Sequence, residues 1–300
     1  MTRLSGEAMT LAYDQRVVAS DLDVRIPDGS FTVVVGPNAC GKSTLLRALA
    51  GLLAPRRGAV VLDGQAISSY RSKEVARRLG LLPQSAVAPE GISVADLVAR
   101  GRYPHQKLLR QWTPEDEEQV ARAMEATGVA DLADRAVDEL SGGQRQRVWM
   151  AMALAQQTGI LLLDEPTTYL DIAHQIDLLD LCADLNEQGR TLVAVLHDLN
   201  HATRYATHLI AMKDGAVVAE GDPGDDPAGQ FGIGLGRHGL AGDVEDGVRR
   251  AIHGAKCGDR PYRTGEAGEA AAGAARLHLV GGSVRDALLA EKADGPRRSL

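Results

Sequence analysis

The sequence predicts an α/β fold: a buried, largely parallel sheet whose chain is interrupted by a helical insert and followed by a glycine-rich tail. Three features predict it. Residues 1–90 read as short β runs separated by turns, residues 141–221 alternate helices with wholly apolar runs, and the stretch between them changes to helical patterning.

In chain order, Asp21–Ile26 and Phe31–Val35 are strand-like, and Ser43–Leu53 is a helix that follows the second of these directly. Gly58–Gly64 is a strand closed by a turn. The insert occupies 91–137, where Thr113 is a helix N-cap, Pro114 fits the first helical position, and Val120, Met124 and Val129 supply apolar spacing. Arg145–Gln156 is helical, and Ile160–Leu163 and Leu192–Leu196 are apolar throughout, as strands covered on both faces must be. The α/β core is therefore residues 1–90 and 138–221, with no internal repeat.

Composition narrows the function. A net charge of −7 and a pI near 5.6 argue against a nucleic-acid partner, and 3% aromatics disfavour a base-stacking surface. Cys40, Cys182 and Cys257 are widely spaced without a C-x-x-C, so neither a disulfide framework nor a zinc site is expected, and a reducing compartment fits. Residues 1–7 lack the apolar run of a signal peptide, and the longest apolar runs have strand length. Service to a membrane is expected to pass through a partner chain.

Gly36-Pro37-Asn38-Ala39-Cys40-Gly41-Lys42-Ser43 fits G-x-x-x-x-G-K-[ST] between a strand and a helix, the pattern of the P-loop NTPases. Phosphates need inward-pointing backbone N–H groups, hence the glycines, and a helix N-terminus whose dipole favours anions. Lys42 is expected to reach the β- and γ-phosphates of ATP, and Ser43 to ligate Mg²⁺. Asp164 and Glu165 end an apolar strand; the first is expected to hold the Mg²⁺ water shell, the second to orient and deprotonate the attacking water. Leu140-Ser141-Gly142-Gly143-Gln144 opens another helix and offers a second phosphate cradle. One ATP has no use for two cradles in one chain, so this one is expected to serve the nucleotide of a second copy.

At these residues the sequence resembles the ABC transporter ATPases, whose signature is Leu-Ser-Gly-Gly-Gln. The resemblance spans 9–221 and implies an ABC-type mixed sheet with an antiparallel part. It implies that Tyr13 stacks on adenine, although a tyrosine in an edge strand is by itself ordinary packing. It implies further that Gln84 touches Mg²⁺ and faces a membrane subunit, that Asp171 lies at a dimer interface, and that His197 contacts the γ-phosphate. Thr44 extends the phosphate loop. Ala39 stands where glycine is commonest, a change tolerable if its φ is negative.

Gly36–Thr44, Gly101–His105 and Thr167–Gln175 resemble in particular the importers of ferric siderophores, with haem and cobalamin importers close behind. Implied partners are a second copy of the chain, integral membrane permease subunits and, indirectly, a substrate-binding protein, at the cytoplasmic face of the cell membrane. The rival is a soluble, non-transport ABC ATPase; those generally carry long coiled-coil, zinc or tandem-ATPase insertions, and this chain has one short insert.

From Asp222 onward the residues hold 16 of the 33 glycines and little apolar periodicity. This Gly/Ala/Arg-rich tail, 222–300, departs from the family, fits a frame-shifted or fused segment, and is expected to be poorly ordered. Leu279–Leu289 resembles the opening motif of tRNA nucleotidyltransferases. Only Asp294 follows it, so a second catalytic domain is not expected.

Overall fold

A computed structural model describes residues 2–106 and 112–223. The tail expectations, and Cys257, lie outside the described residues.

The chain opens with a long hairpin, β1 (Thr2–Tyr13) and β2 (Arg16–Pro27). β4 (Arg57–Leu62) pairs with β1, and β5 (Gln65–Ala66) with β4, giving an antiparallel sheet of order β2-β1-β4-β5. Sequence patterning found parts of β2 and β4 but not β1. The reason is local: the register shifts between Gly6 and Met9, and Ala8 has φ 46°, so alternation breaks mid-strand. Gly58 is required at this crossing. Its φ is +75°, and a Cβ there would lie 2.2 Å from the Glu7 carbonyl oxygen.

The second sheet has the order β10-β9-β3-β8-β7-β6, built from β3 (Phe31–Val35), β6 (Leu79–Leu82), β7 (Ile160–Asp164), β8 (Thr191–Val195), β9 (His208–Lys213) and β10 (Ala216–Gly221). All its pairs are parallel except β9 with β10. Every residue of β3, β7 and β8 is buried, which is why these runs carry no polar alternation. Successive side chains still point to opposite faces. Val33, Val35, Leu161 and Leu163 join a core shared with the insert, whereas Val34, Ile160 and Leu162 join the core beneath the antiparallel sheet.

The helices are α1 (Lys42–Leu49), α2 (Ser72–Val75), α3 (Val94–Ala99), α4 (Pro114–Ala126), α5 (Gly142–Ala155), α6 (Ile172–Glu187) and α7 (Leu199–Tyr205). α1 stops before the expected Leu53 because Gly51, at φ +72°, closes it with a left-handed turn in which the Leu52 N–H bonds back to Arg47 O. α4 begins as expected, with Thr113 capping and Pro114 leading. α5 begins three residues earlier than expected, because Ser141 caps it and Gln144 reaches back to the Ser141 N–H at 3.0 Å. Cys40 and Cys182 are buried free thiols, and burial pushes the Cys182 thiol up to about 12.

Candidate functional site

The phosphate-type loop joins β3 to α1. Gly36 has φ +153° and packs against β9 so closely that a Cβ would lie 2.2 Å from Met212 O. Lys42 is buried, its Nζ donating to Gly36 O at 2.8 Å and Pro37 O at 2.9 Å. Its charge thus sits on carbonyls of the loop itself, at the centre of the cradle. Ala39 corrects an expectation: its φ is +63°, in the left-handed region, so alanine here carries backbone strain that glycine would not. Burial pushes the Cys40 thiol up, against the pull of Lys42.

Ser43 donates its hydroxyl to Asp164 Oδ1 at 2.8 Å, across 121 residues of sequence. Burial raises the Asp164 carboxyl above the usual carboxylate range and nearby Glu165 adds to this, while the Ser43 hydrogen bond opposes it. A hydroxyl and a buried carboxylate so close together are the hard oxygen donors that Mg²⁺ prefers, and a cation there would relieve that charge. Among the described residues no group of three or more His, Cys, Asp or Glu forms a metal site on its own.

Glu165 sits at the strand end with φ 53°. Its Oε1 lies 2.7 Å from His197 Nε2, its Oε2 accepts from Gln84 Nε2 at 2.6 Å, and Thr168 Oγ1 approaches the same oxygen at 3.4 Å. β6, β7 and β8 are adjacent in the sheet, so the segments leaving their ends bring Gln84, Glu165 and His197 together. Tyr13, partly exposed, accepts from Arg47 Nη1 at 3.4 Å.

Tyr13, Asn38, Ala39, Gly41, Lys42, Ser43, Thr44, Gln84, Glu165 and His197 line one open cleft of about 1060 Å³. Gly36, Pro37 and Cys40 belong to the same loop but do not line the cleft. Sequence reasoning missed Arg16, Val17, Val18, Asp214 and Gly215, which also line the cleft. Asp214-Gly215 was visible as a turn signal, but only the Gly215 N–H to Cys40 O bond, 3.1 Å, brings that turn to the loop.

Ser141, Gly142, Gly143 and Gln144 stand apart from the residues that line this cleft, and so does Asp171. Ser141 and Gly142 are exposed at the α5 N-terminus. Asp171 caps α6, accepting from His174 N at 2.9 Å and pairing with His174 Nδ1 at 2.8 Å; these bonds hold its carboxyl below the usual range. A second, apolar groove of about 780 Å³ runs between the antiparallel sheet and α5, past Leu52, Leu53, Val75, Leu81, Pro83 and Trp149.

A phosphate loop, a buried carboxylate beside its serine and a Glu–Gln–His cluster over one cleft define a P-loop nucleotide-hydrolysing protein. Its family is shown by comparison with known proteins. The chain belongs to the ABC transporter family, whose model matches residues 19–168. It is 62% identical to the ferric enterobactin transport ATP-binding protein FepC of Escherichia coli (strain K12) over 224 residues, 74% of this chain and 83% of that protein. It is 58% identical to the probable siderophore transport system ATP-binding protein YusV of Bacillus subtilis (strain 168), over 74% of this chain and 82% of that one. Among solved structures, the dimeric bacterial ABC transporter cassette MJ0796 aligns with a TM-score of 0.67 at 26% identity, covering 73% of this chain and 98% of its own. Among the described residues no helix is long and apolar enough to cross a membrane.

Proposed function

We propose that the chain is the ATP-hydrolysing subunit of an importer of ferric siderophores, working as a homodimer on permease subunits at the cytoplasmic face of the membrane. The observation that supports this best is the Gln84–Glu165–His197 cluster over the phosphate loop, in a chain so similar to siderophore-transport subunits. In this reading Tyr13 packs on the adenine, and residues Gly36–Thr44 wrap the phosphates with Lys42 turning from its carbonyls to them. Ser43, Asp164 and Gln84 would hold Mg²⁺, which would supply positive charge to neutralise the phosphates. Glu165 takes the proton of the attacking water, and His197 contacts the γ-phosphate. Ser141–Gln144 and Asp171, which do not line their own cleft, complete the site of the second copy.

The apolar groove beside Pro83, which precedes Gln84, suits a segment of the permease, so nucleotide state and membrane subunit are sensed one residue apart. A substrate-binding protein acts upstream, without touching this chain. In this reading residues 1–221 are the ATPase domain, 91–137 its helical subdomain, and 222–300 a Gly/Ala/Arg-rich tail.

Proteoliposomes containing the chain and its permease test the reading. MgATP-dependent uptake of a labelled ferric siderophore is expected. Uptake of haem or cobalamin in its place would redirect the substrate, and ATP hydrolysis with no permease association would favour a soluble ATPase.

A further inference from the structure

Arg102 is the largest fully buried side chain among the described residues, 2% exposed, and lies outside the cleft. Its Nε donates to Asp116 Oδ1 at 2.8 Å, and its Nη1 to Ala155 O at 2.8 Å and Gln157 Oε1 at 2.7 Å. One guanidinium therefore joins the start of α4 to the last carbonyl of α5 and to the Gln157 side chain just beyond it. The neighbouring backbone is equally close, since a Cβ on Gly101 would lie 2.2 Å from Met152 O. Gln157, just beyond α5, is held at φ 53° and is one of the Arg102 acceptors. Gln156 fastens the same helix end to the core through Leu79 O of β6 at 3.3 Å.

A buried ion pair contributes little net stability compared with apolar side chains of equal volume, whereas a planar fork bonded in three directions fixes orientation. The helix end it fixes has a distant consequence. α5 runs 14 residues, about 21 Å at 1.5 Å per residue, and Ser141 caps its far end. A tilt of about 3° at Ala155 would displace Ser141 by about 1 Å over that length.

We propose that Arg102 is a positioning residue for the dimer-dependent reaction: by clamping the C-terminal end of α5 against α4, it sets where Ser141–Gly143 meet the nucleotide of the second copy. The inference rests on the two-copy site proposed above and adds its pivot. The positive guanidinium at the helix C-terminus also complements the dipole there.

The test compares the parent chain with Arg102→Met/Asp116→Leu, which replaces the pair by apolar volume, and with Arg102→Lys, which keeps the charge but not the fork. Four quantities are read: the thermal midpoint, binding of a fluorescent ATP analogue to the monomer, MgATP-dependent dimerisation in a Glu165→Gln background, and hydrolysis. For the double variant, an unchanged analogue affinity is expected and a midpoint lowered by the lost Thr113–Asp116 cap bonds, with dimerisation lost and hydrolysis down about 10²-fold, the effect of an ångström-scale misplacement. Arg102→Lys is expected to fall between the two and carries the test if the double variant does not fold. A folded variant of either kind that dimerises and hydrolyses like the parent overturns the proposal and leaves the pair a structural role. A parent that binds ATP but never dimerises overturns the two-copy reading, and this inference with it.

Discussion

His197 Nε2 lies 2.7 Å from Glu165 Oε1, and the opposite carboxylate oxygen accepts from Gln84 Nε2 at 2.6 Å. Both oxygens of the proposed base are thus engaged by the chain itself, at a residue held at φ 53°. A water molecule awaiting deprotonation would share these oxygens with Gln84 and His197 through their remaining lone pairs.

Glu165→Gln keeps the shape of this cluster but cannot take a proton. Nucleotide binding is expected to survive, turnover to fall by about 10²–10⁴-fold as for loss of a general base, and an ATP-bound dimer to accumulate. Size-exclusion chromatography with and without MgATP, alongside a phosphate-release assay, reads both effects. A monomer in both runs with near-parent turnover would remove Glu165 from the reaction.

Lys42→Ala removes the cation at the centre of the cradle and the two bonds that tie it to Gly36 O and Pro37 O. Charge-assisted bonds to phosphate are among the strong ones, so binding at micromolar nucleotide is expected to disappear. Equilibrium titration with a fluorescent ATP analogue measures it, and unchanged affinity would place the phosphates elsewhere.

Ala39→Gly should stabilise the fold. The left-handed φ of +63° costs an alanine about 1–2 kcal/mol, and glycine returns about 0.4–1 kcal/mol to the unfolded chain. The difference, about 0.5–1 kcal/mol, should raise the urea midpoint at constant slope. A lower midpoint would mean that the loop relaxes around alanine.

Asp116 makes the stability pH-dependent. Burial pushes its carboxyl up, but the hydrogen bonds from Arg102 and Thr113 outweigh that and hold it below the usual range. A carboxyl depressed in the folded state lends stability that is fully present above its unfolded value, about 3.9, and lost as pH falls through the folded value. Asp116→Asn should therefore lose stability at neutral pH, by about 3–5 kcal/mol for a broken buried pair, and show a flatter acid limb. Urea melts between neutral pH and pH 3 decide it; parallel curves for parent and variant would contradict the assignment.

A chain ending at Pro223 retains every cleft residue named above and both sheets. We expect it to bind the ATP analogue with parent affinity. Loss of binding on truncation would show that 224–300 support the site.

The sequence by itself determined the local chemistry: the loop from Gly36 to Ser43, the carboxylates ending β7, the Leu140–Gln144 stretch that opens a helix and the Thr113–Pro114 start of α4. Each depends on residues a few positions apart, whose backbone and capping preferences act before any distant contact forms. Strand β1 escaped because its bulge erases the alternation on which such reading depends. Only the tertiary structure decided that Gln84 meets Glu165, 81 residues away, that the Asp214–Gly215 turn closes the cleft, and that Ala39 has a positive φ. It also decided that Arg102, within the Gly101–His105 stretch of the insert, bonds the last carbonyl of α5, the helix that Ser141 caps. Those relationships follow from strand order and the packing of the insert on the sheet. Apolar strands buried on both faces do not specify their neighbours, so the order emerges only when the whole core is packed.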